Sequence, residues 1–168
     1  ATGDPITLVF TDIQTSTRLW SVCPASMSHG LDIHHATIRR CIAQYKAYEV
    51  KTIGDSFMIA CRDAAQAVEL SIAIQNELLA VPFPAAIGEV YDLADDDAEV
   101  DDNPERLAPL SAPWNGIRVR IGIHAGLPDV QWDEVAKGYD YYGPPVNIAA
   151  RIESVSDGGQ VCCSHDTM

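Results

Sequence analysis

Two six-residue runs, Tyr48–Ile53 and Ser56–Cys61, are separated by Gly54 and Asp55 alone. Both runs read as strands, and so short a link cannot hold a crossover connection, so the pair is predicted to be an antiparallel hairpin with a tight turn. That hairpin commits the chain to a sheet built at least partly from antiparallel neighbours. The remaining segments have to pack around it.

Residues 6–10 form a β-rich run that ends at Thr11-Asp12-Ile13 and enters the polar loop Gln14-Thr15-Ser16-Thr17. Leu19-Trp20 follow, so the reading is strand, loop and helix start, with Thr15 or Ser16 as N-cap. A longer helix is predicted from about Ser28 or Gly30 to Tyr45, with Leu31, His35, Ile38, Cys41 or Ile42, and Tyr45 at helical spacing. Asp63 caps the next helix, and Gln66 three residues on completes a capping-box pattern. Its expected face is Val68, Ile72, Ile74 or Gln75, Leu78 and Leu79. Residues 117–123 alternate apolar and polar, as in a strand with one polar face. A second arm over 128–135 is placed to pair with them. Gly143-Pro144-Pro145 opens a helix over 146–155, Gly158-Gly159 ends it, and 160–163 is the last strand. The order predicts an α+β fold of the ferredoxin-like group, an antiparallel-rich sheet with helices on one face.

Charge narrows the function classes. The chain of 168 residues carries a formal net charge of −13, which argues against a nucleic-acid partner, whose phosphates need a basic surface. Nine carboxylates and no base fall between Glu89 and Glu105, so the rest of the domain is only mildly acidic. Residues 81–113 also hold five of the ten prolines and little apolar periodicity. They read as an acidic, proline-rich insertion, partly irregular. The run Asp95 to Asp102 lacks the central Gly and terminal Glu of an EF-hand loop and reads as a solvated surface. The five cysteines have neither paired CxxC nor zinc spacing and read as reduced, mostly packed thiols. No stretch approaches the roughly 18 apolar residues of a membrane span. The opening Ala1-Thr2-Gly3-Asp4-Pro5 is no signal peptide and reads like a domain cut from a longer protein.

Few residues invite chemistry. Asp12 ends an apolar strand and Asp55 sits at the hairpin tip. Alone, the first reads equally as a loop cap and the second as a turn residue. If their strands are neighbours, the two carboxylates converge on one spot, and Mg²⁺ sites commonly join one or two carboxylates to phosphate oxygens. The 14–17 loop entering a helix offers free N–H groups to a phosphate, or is simply a cap. Asn147 and Arg151, four apart on a helix, share a face that suits a ribose and a phosphate, or a solvated edge. Lys51 reads locally as an ordinary strand lysine.

Four stretches together resemble the signatures of the class III nucleotidyl cyclases, in that family's order and over nearly the whole chain. They are Leu8 to Ile13, Lys51 to Met58, Arg118 to Gly126, and Tyr139 to Gly143 with Val146 to Arg151. The insertion before Trp114-Asn115-Gly116, with Gly138 to Gly143 after it, is most similar to the receptor-type adenylate cyclases of trypanosomatid parasites.

The resemblance implies one cyclase catalytic domain over 1–168, with an acidic inserted subdomain, that turns ATP into 3′,5′-cyclic AMP and pyrophosphate. It implies two Mg²⁺ or Mn²⁺ ions held by Asp12, Asp55 and the Ile13 carbonyl, and β- and γ-phosphates cradled by the backbone of 13–17, including Thr15, Ser16 and Thr17. Lys51 and Asp140 match the family's adenine-reading pair, Asn147 its ribose-orienting residue and Arg151 the residue that stabilises charge on the α-phosphoryl group. In the family a second catalytic domain completes each site, so a head-to-tail homodimer is implied, within the cytoplasmic part of a plasma-membrane receptor-type protein and with no membrane contact by the domain itself. Family members usually continue past Met168 and supply a further phosphate-binding Lys there. The alternative is a catalytically weak or inactive cyclase-like nucleotide-binding or dimerisation module; such relatives typically lose a metal Asp or the Arg, and both are present here. An unrelated Mg²⁺-dependent phosphotransferase or polymerase palm is a third reading, opposed by Lys51 and Asp140 in matching motifs.

Overall fold

The computed structural model describes residues 4–96 and 115–167. The hairpin forms as expected: β2 (Tyr48–Ile53) pairs antiparallel with β3 (Ser56–Cys61). Gly54 takes φ +61°, a conformation open to glycine at the first position of a two-residue link. On the other side of β3 lies β1 (Ile6–Ile13), then β4 (Val119–Gly126), both antiparallel steps. A parallel edge strand, β7 (Val161–Cys163), completes the order β2-β3-β1-β4-β7.

Helices cover both faces of this sheet, not one as the sequence suggested. The reason lies in β1 and β3, which are apolar at consecutive positions and therefore need cover on each side. Val9, Ile13, Phe57, Ile59, Ile121 and Ile123 belong to the larger core, under α2 (Pro24–Tyr45) and α3 (Ala64–Ala80). Leu8, Met58 and Ala60 belong to a second core with Tyr141 and Ala149, the latter on α5 (Pro144–Ser154).

Several boundaries differ from the sequence reading. A short α1 (Ser16–Val22) is followed at once by α2, which begins at Pro24 rather than near Ser28; proline is well tolerated at a first helical position. The buried face of α2 runs through His34, not His35. In α3 the buried face is Ala67, Leu70, Ile74 and Leu78, leaving Val68, Ile72 and Leu79 exposed. Apolar residues at 3.6-residue spacing fit two phases there, and only the sheet selects one. The cap is as expected: Asp63 accepts from the Gln66 N–H at 2.8 Å. The Gln66 side chain reaches back to the Arg62 N–H at 2.8 Å and donates to the Tyr45 carbonyl at 2.6 Å.

The second arm does not join β4. It forms β5 (Asp129–Asp133), paired with β6 (Gly138–Tyr142) in a separate two-stranded sheet. Part of the supposed irregular insertion is a helix, α4 (Ala85–Asp96), which buries Ile87, Val90 and Tyr91; three apolar side chains on one face suffice to dock it. The acidic run from Asp97 onward and residues to Trp114 lie outside the described residues. All five cysteines are free thiols, with Cys41 and Cys61 buried and Cys163 exposed. Among the described residues no single helix is long and apolar enough to cross a membrane.

Helix α5 lies unusually close to the sheet. A Cβ on Gly122 would fall 2.2 Å from the Glu153 nitrogen and 2.7 Å from the Ala149 carbonyl oxygen, so no larger residue fits without moving backbone. Gly122→Ala is expected to lower the free energy of unfolding by about 1–3 kcal/mol, read from urea denaturation. His34 is fully buried, its ring nitrogens have no hydrogen-bond partner among the described residues, and it packs edge-on against Phe57. Burial, helped by the neighbouring His35, pushes its pKa down to about 3. The unfolded chain therefore binds a proton that the folded chain refuses. Stability should fall as pH drops from about 6.5 toward about 3, by about 1.4 kcal/mol per pH unit. His34→Phe should flatten that slope in urea titrations across this range.

Candidate active site

The register of the central strands brings the two aspartates together. Thr11 of β1 faces Phe57 of β3, and continuing the ladder puts Asp12 beside Ser56 and Ile13 beside Asp55. Ser56 Oγ donates to Asp12 Oδ1 at 2.6 Å, and the Ile13 N–H donates to Asp55 Oδ2 at 3.3 Å. From α2, His35 Nε2 meets the Gly54 carbonyl at 3.0 Å, which ties the hairpin tip to the helix layer. Two carboxylates from distant sequence positions thus share one end of the sheet.

On the other flank Asp12 faces Arg120 of β4, and the Arg120 guanidinium donates to Asp12 Oδ2. Arg120 Nε also lies 3.1 Å from Glu153 Oε1 of α5, within ion-pair reach but out of line for a hydrogen bond. Burial raises the pKa of Glu153; Arg120 pulls it back, and Asp12 and Asp55 push it further up. Three acids and one base therefore sit together.

Lys51 and Asp140 also meet. A bulge between Glu49 and Lys51 shifts the β2 register, re-aiming the side chains beyond it. Lys51 is then opposite Met58, on the α5 side of the sheet, and its Nζ donates to both oxygens of Asp140 on β6 at 2.8 and 2.9 Å. Burial opposes ionisation of Asp140, but hydrogen bonds from Lys51, the Tyr141 N–H and Tyr142 outweigh it and hold the carboxyl below the usual carboxylate range.

The remaining candidates stand apart. Thr15 adopts a left-handed backbone (φ 56°) as N-cap of α1, and no side-chain cap bond forms; Thr15 Oγ1 donates instead to the Gln14 carbonyl at 2.7 Å. That carbonyl also accepts from Tyr91 of α4 at 2.8 Å. Ser16 and Thr17 open α1, where first-turn N–H groups have no intrahelical acceptor. Asn147 and Arg151 are exposed on α5, and among the described residues their side chains make no hydrogen bond or ion pair. They do not reach the two aspartates of their own chain.

Among the described residues no group of three or more His, Cys, Asp or Glu side chains forms a metal cage. The Asp12–Asp55 pair nevertheless suits a hard divalent cation. It sets two part-exposed carboxylates side by side at one end of the sheet, its charge already draws a cation in the form of Arg120, and such ions take several ligands from water and substrate phosphates.

The whole chain, residues 1–168, matches the model of the adenylate and guanylate cyclase catalytic domain. The chain belongs to that family. It is 50% identical over 167 residues to receptor-type adenylate cyclase A of Leishmania donovani, covering 94% of the chain and 12% of that relative. It is also 50% identical over 168 residues to a receptor-type adenylate cyclase of Trypanosoma congolense, covering 94% and 22%. The chain thus spans less than a quarter of these relatives' length. A solved structure of Trypanosoma brucei adenylate cyclases in their monomeric state superposes with a TM-score of 0.85 at 45% identity, covering 97% of this chain and 74% of that one. The α+β cyclase fold and the family resemblance read from the motifs both hold for this cyclase catalytic domain.

Ser56, Arg120, Glu153 and Tyr91 were not singled out from sequence. Arg120 lay inside a matching motif, and its place opposite Asp12 was legible only once β1 and β4 were paired. Glu153 stands two residues from Arg151, so a helix turns it to a different side, and Tyr91 lay within the insertion.

Lys51→Met should raise the Asp140 pKa, measurable by carbonyl NMR titration. The wild-type carboxyl, depressed on folding, contributes stability that is complete above about pH 4 and lost as pH falls through its lower folded value. The stability gap between wild type and Lys51→Met should therefore close in acid.

Proposed function

We propose that this domain converts ATP to 3′,5′-cyclic AMP and pyrophosphate at a site completed by a second copy of the chain. One observation carries the reading: Asp12 and Asp55 are assembled within one chain, whereas Asn147 and Arg151 are exposed on α5 with no side-chain partner among the described residues. A single chain then holds two incomplete half-sites, and a twofold head-to-tail pair would hold two whole ones.

Asp12, Asp55 and the Ile13 carbonyl would hold two divalent cations, Mg²⁺ or Mn²⁺, whose Lewis acidity activates the ribose 3′-hydroxyl and neutralises the triphosphate. The chain's own residues position the substrate. Backbone N–H groups at Thr15, Ser16 and Thr17 receive the β- and γ-phosphates. Lys51 donates to adenine N1 and Asp140 accepts from the 6-amino group, so the base takes the place of their mutual ion pair. A guanine would present an acceptor to Asp140 and a donor to Lys51, leaving these part-buried groups unpaired. Asn147 orients the ribose, and Arg151 stabilises the charge that develops at the α-phosphorus as the 3′-oxygen attacks and pyrophosphate leaves. The catalytic domain takes in residues 1–168, with an acidic insertion at about 81–113. The naming of its relatives as receptor-type and the small share of them that it spans support a cytoplasmic domain of a plasma-membrane receptor-type protein.

With ATP and Mn²⁺, Asp12→Ala and Asp55→Ala should each abolish cyclic AMP formation, and Arg151→Ala should lower kcat by about 10²–10³-fold. An equal mixture of Asp55→Ala and Arg151→Ala chains should recover about a quarter of wild-type activity, since half the pairs are mixed and each has one whole site. Mixed pairs shown to form without recovery, or GTP turned over in preference to ATP, would overturn the reading.

A further inference from the structure

Arg120 stands between two acids, hydrogen-bonded to Asp12 and ion-paired with Glu153 without a hydrogen bond. Its guanidinium donates to Asp12 Oδ2, while Ser56 takes Asp12 Oδ1, so both oxygens of this carboxylate are engaged by the protein itself. Toward α5, Arg120 Nε and Glu153 Oε1 come within 3.1 Å, yet both are buried and neither completes a hydrogen bond. A buried donor and acceptor in that state form an ion pair whose hydrogen bond is still unmade, and an unmade bond between buried polar groups is costly. Glu153 cannot drift away from it, since the missing side chain at Gly122 seats the Glu153 backbone directly on β4. A small rotation of the Arg120 side chain would therefore exchange one acid partner for the other.

We infer that Arg120 is a resident counter-cation of the Asp12–Asp55 pair, which a divalent ion displaces, and that Glu153 is its second seat. In the metal-free chain the guanidinium offsets the repulsion between Asp12 and Asp55. When a divalent cation takes Asp12, Arg120 closes its hydrogen bond to Glu153, and the two charges neutralise each other beside the site. Metal affinity is then a difference between two competing cations and two seats. The inference rests on the reading of Asp12 and Asp55 as metal ligands.

Mn²⁺ alone is the probe, with the free ion followed by electron paramagnetic resonance on the whole chain without nucleotide. Removing the competitor, Arg120→Met, should tighten Mn²⁺ binding by about fivefold. Removing the second seat, Glu153→Gln, should weaken it by a similar factor, because Arg120 then has nowhere else to go. Loss of structure alone would weaken binding in both variants. Opposite signs therefore support the exchange, and a shift of the same sign in both, or none in either, overturns it. A wild-type measurement covers the case where Arg120→Met fails to fold. On Mg²⁺ addition the Arg120 Nε–H resonance should move as it enters the bond to Glu153, and should not move in Glu153→Gln; an unmoved wild-type resonance at saturating Mg²⁺ overturns the proposal. If Asp12→Asn leaves Mn²⁺ binding unchanged, the metal-ligand reading falls and this inference with it. If Asp12→Asn abolishes binding while the Arg120 and Glu153 variants leave it at the wild-type value, only the exchange falls.

Discussion

Helix α5 rests on β4 with no side chain between them at Gly122. Where Glu153, Asn147 and Arg151 stand follows from that contact. Because the helix backbone lies against the strand, Glu153 is carried to within ion-pair reach of Arg120, and Arg120 is already fixed opposite Asp12 by the β1–β4 register. The same seating buries Ala149 and Pro145 against the sheet and leaves Asn147 and Arg151 facing out. One backbone-to-backbone approach thus sorts the residues of α5 into an inner acid and an outer pair free to meet a ligand.

Strand pairing makes the complementary contribution. β1 is flanked on both sides by antiparallel neighbours, so its C-terminal end meets the hairpin turn on one flank and the start of β4 on the other. Asp55 arrives from the first and Arg120 from the second. The acids are not isolated in this arrangement: Ser56, the Ile13 N–H and Arg120 all donate to them. Charge that would be costly to hold at a strand end in the absence of a cation is offset by a side chain that can also leave. At the far side of the second core, Lys51 and Asp140 do the same for each other. In both places the protein supplies opposite charges that a nucleotide and its cations would have to separate.

Local signals were readable where they rest on chain geometry over a few residues. The two-residue link at Gly54-Asp55 defined β2 and β3 to the residue, and Asp63 with Gln66 marked the start of α3. Phase and partnership were not readable. Apolar residues on α3 fit two helical faces, and burial at the sheet selected Ala67, Leu70, Ile74 and Leu78. Of residues 128–135, read as one extended arm, Asp129–Asp133 is strand and 134–135 belong to the turn; the partner is β6 and not β4, because alternation specifies a strand without saying which edge receives it. The α4 helix was hidden by the acidic residues around it, although Ile87, Val90 and Tyr91 share one buried face.

By itself, then, the amino-acid order determined the hairpin, the caps, and the set of motifs that places the chain among the cyclase catalytic domains. It also supplied Asp12, Asp55, Lys51 and Asp140 as residues to watch, since turn chemistry and motif order are properties of neighbours along the chain. Tertiary structure alone decided which of them meet. Asp12 and Asp55 are 43 positions apart and Lys51 and Asp140 are 89 apart, and no local rule spans such a distance. Register and helix docking, set by the packing of both cores, brought each pair together, added Arg120 and Glu153 beside the first, and left Asn147 and Arg151 facing outward.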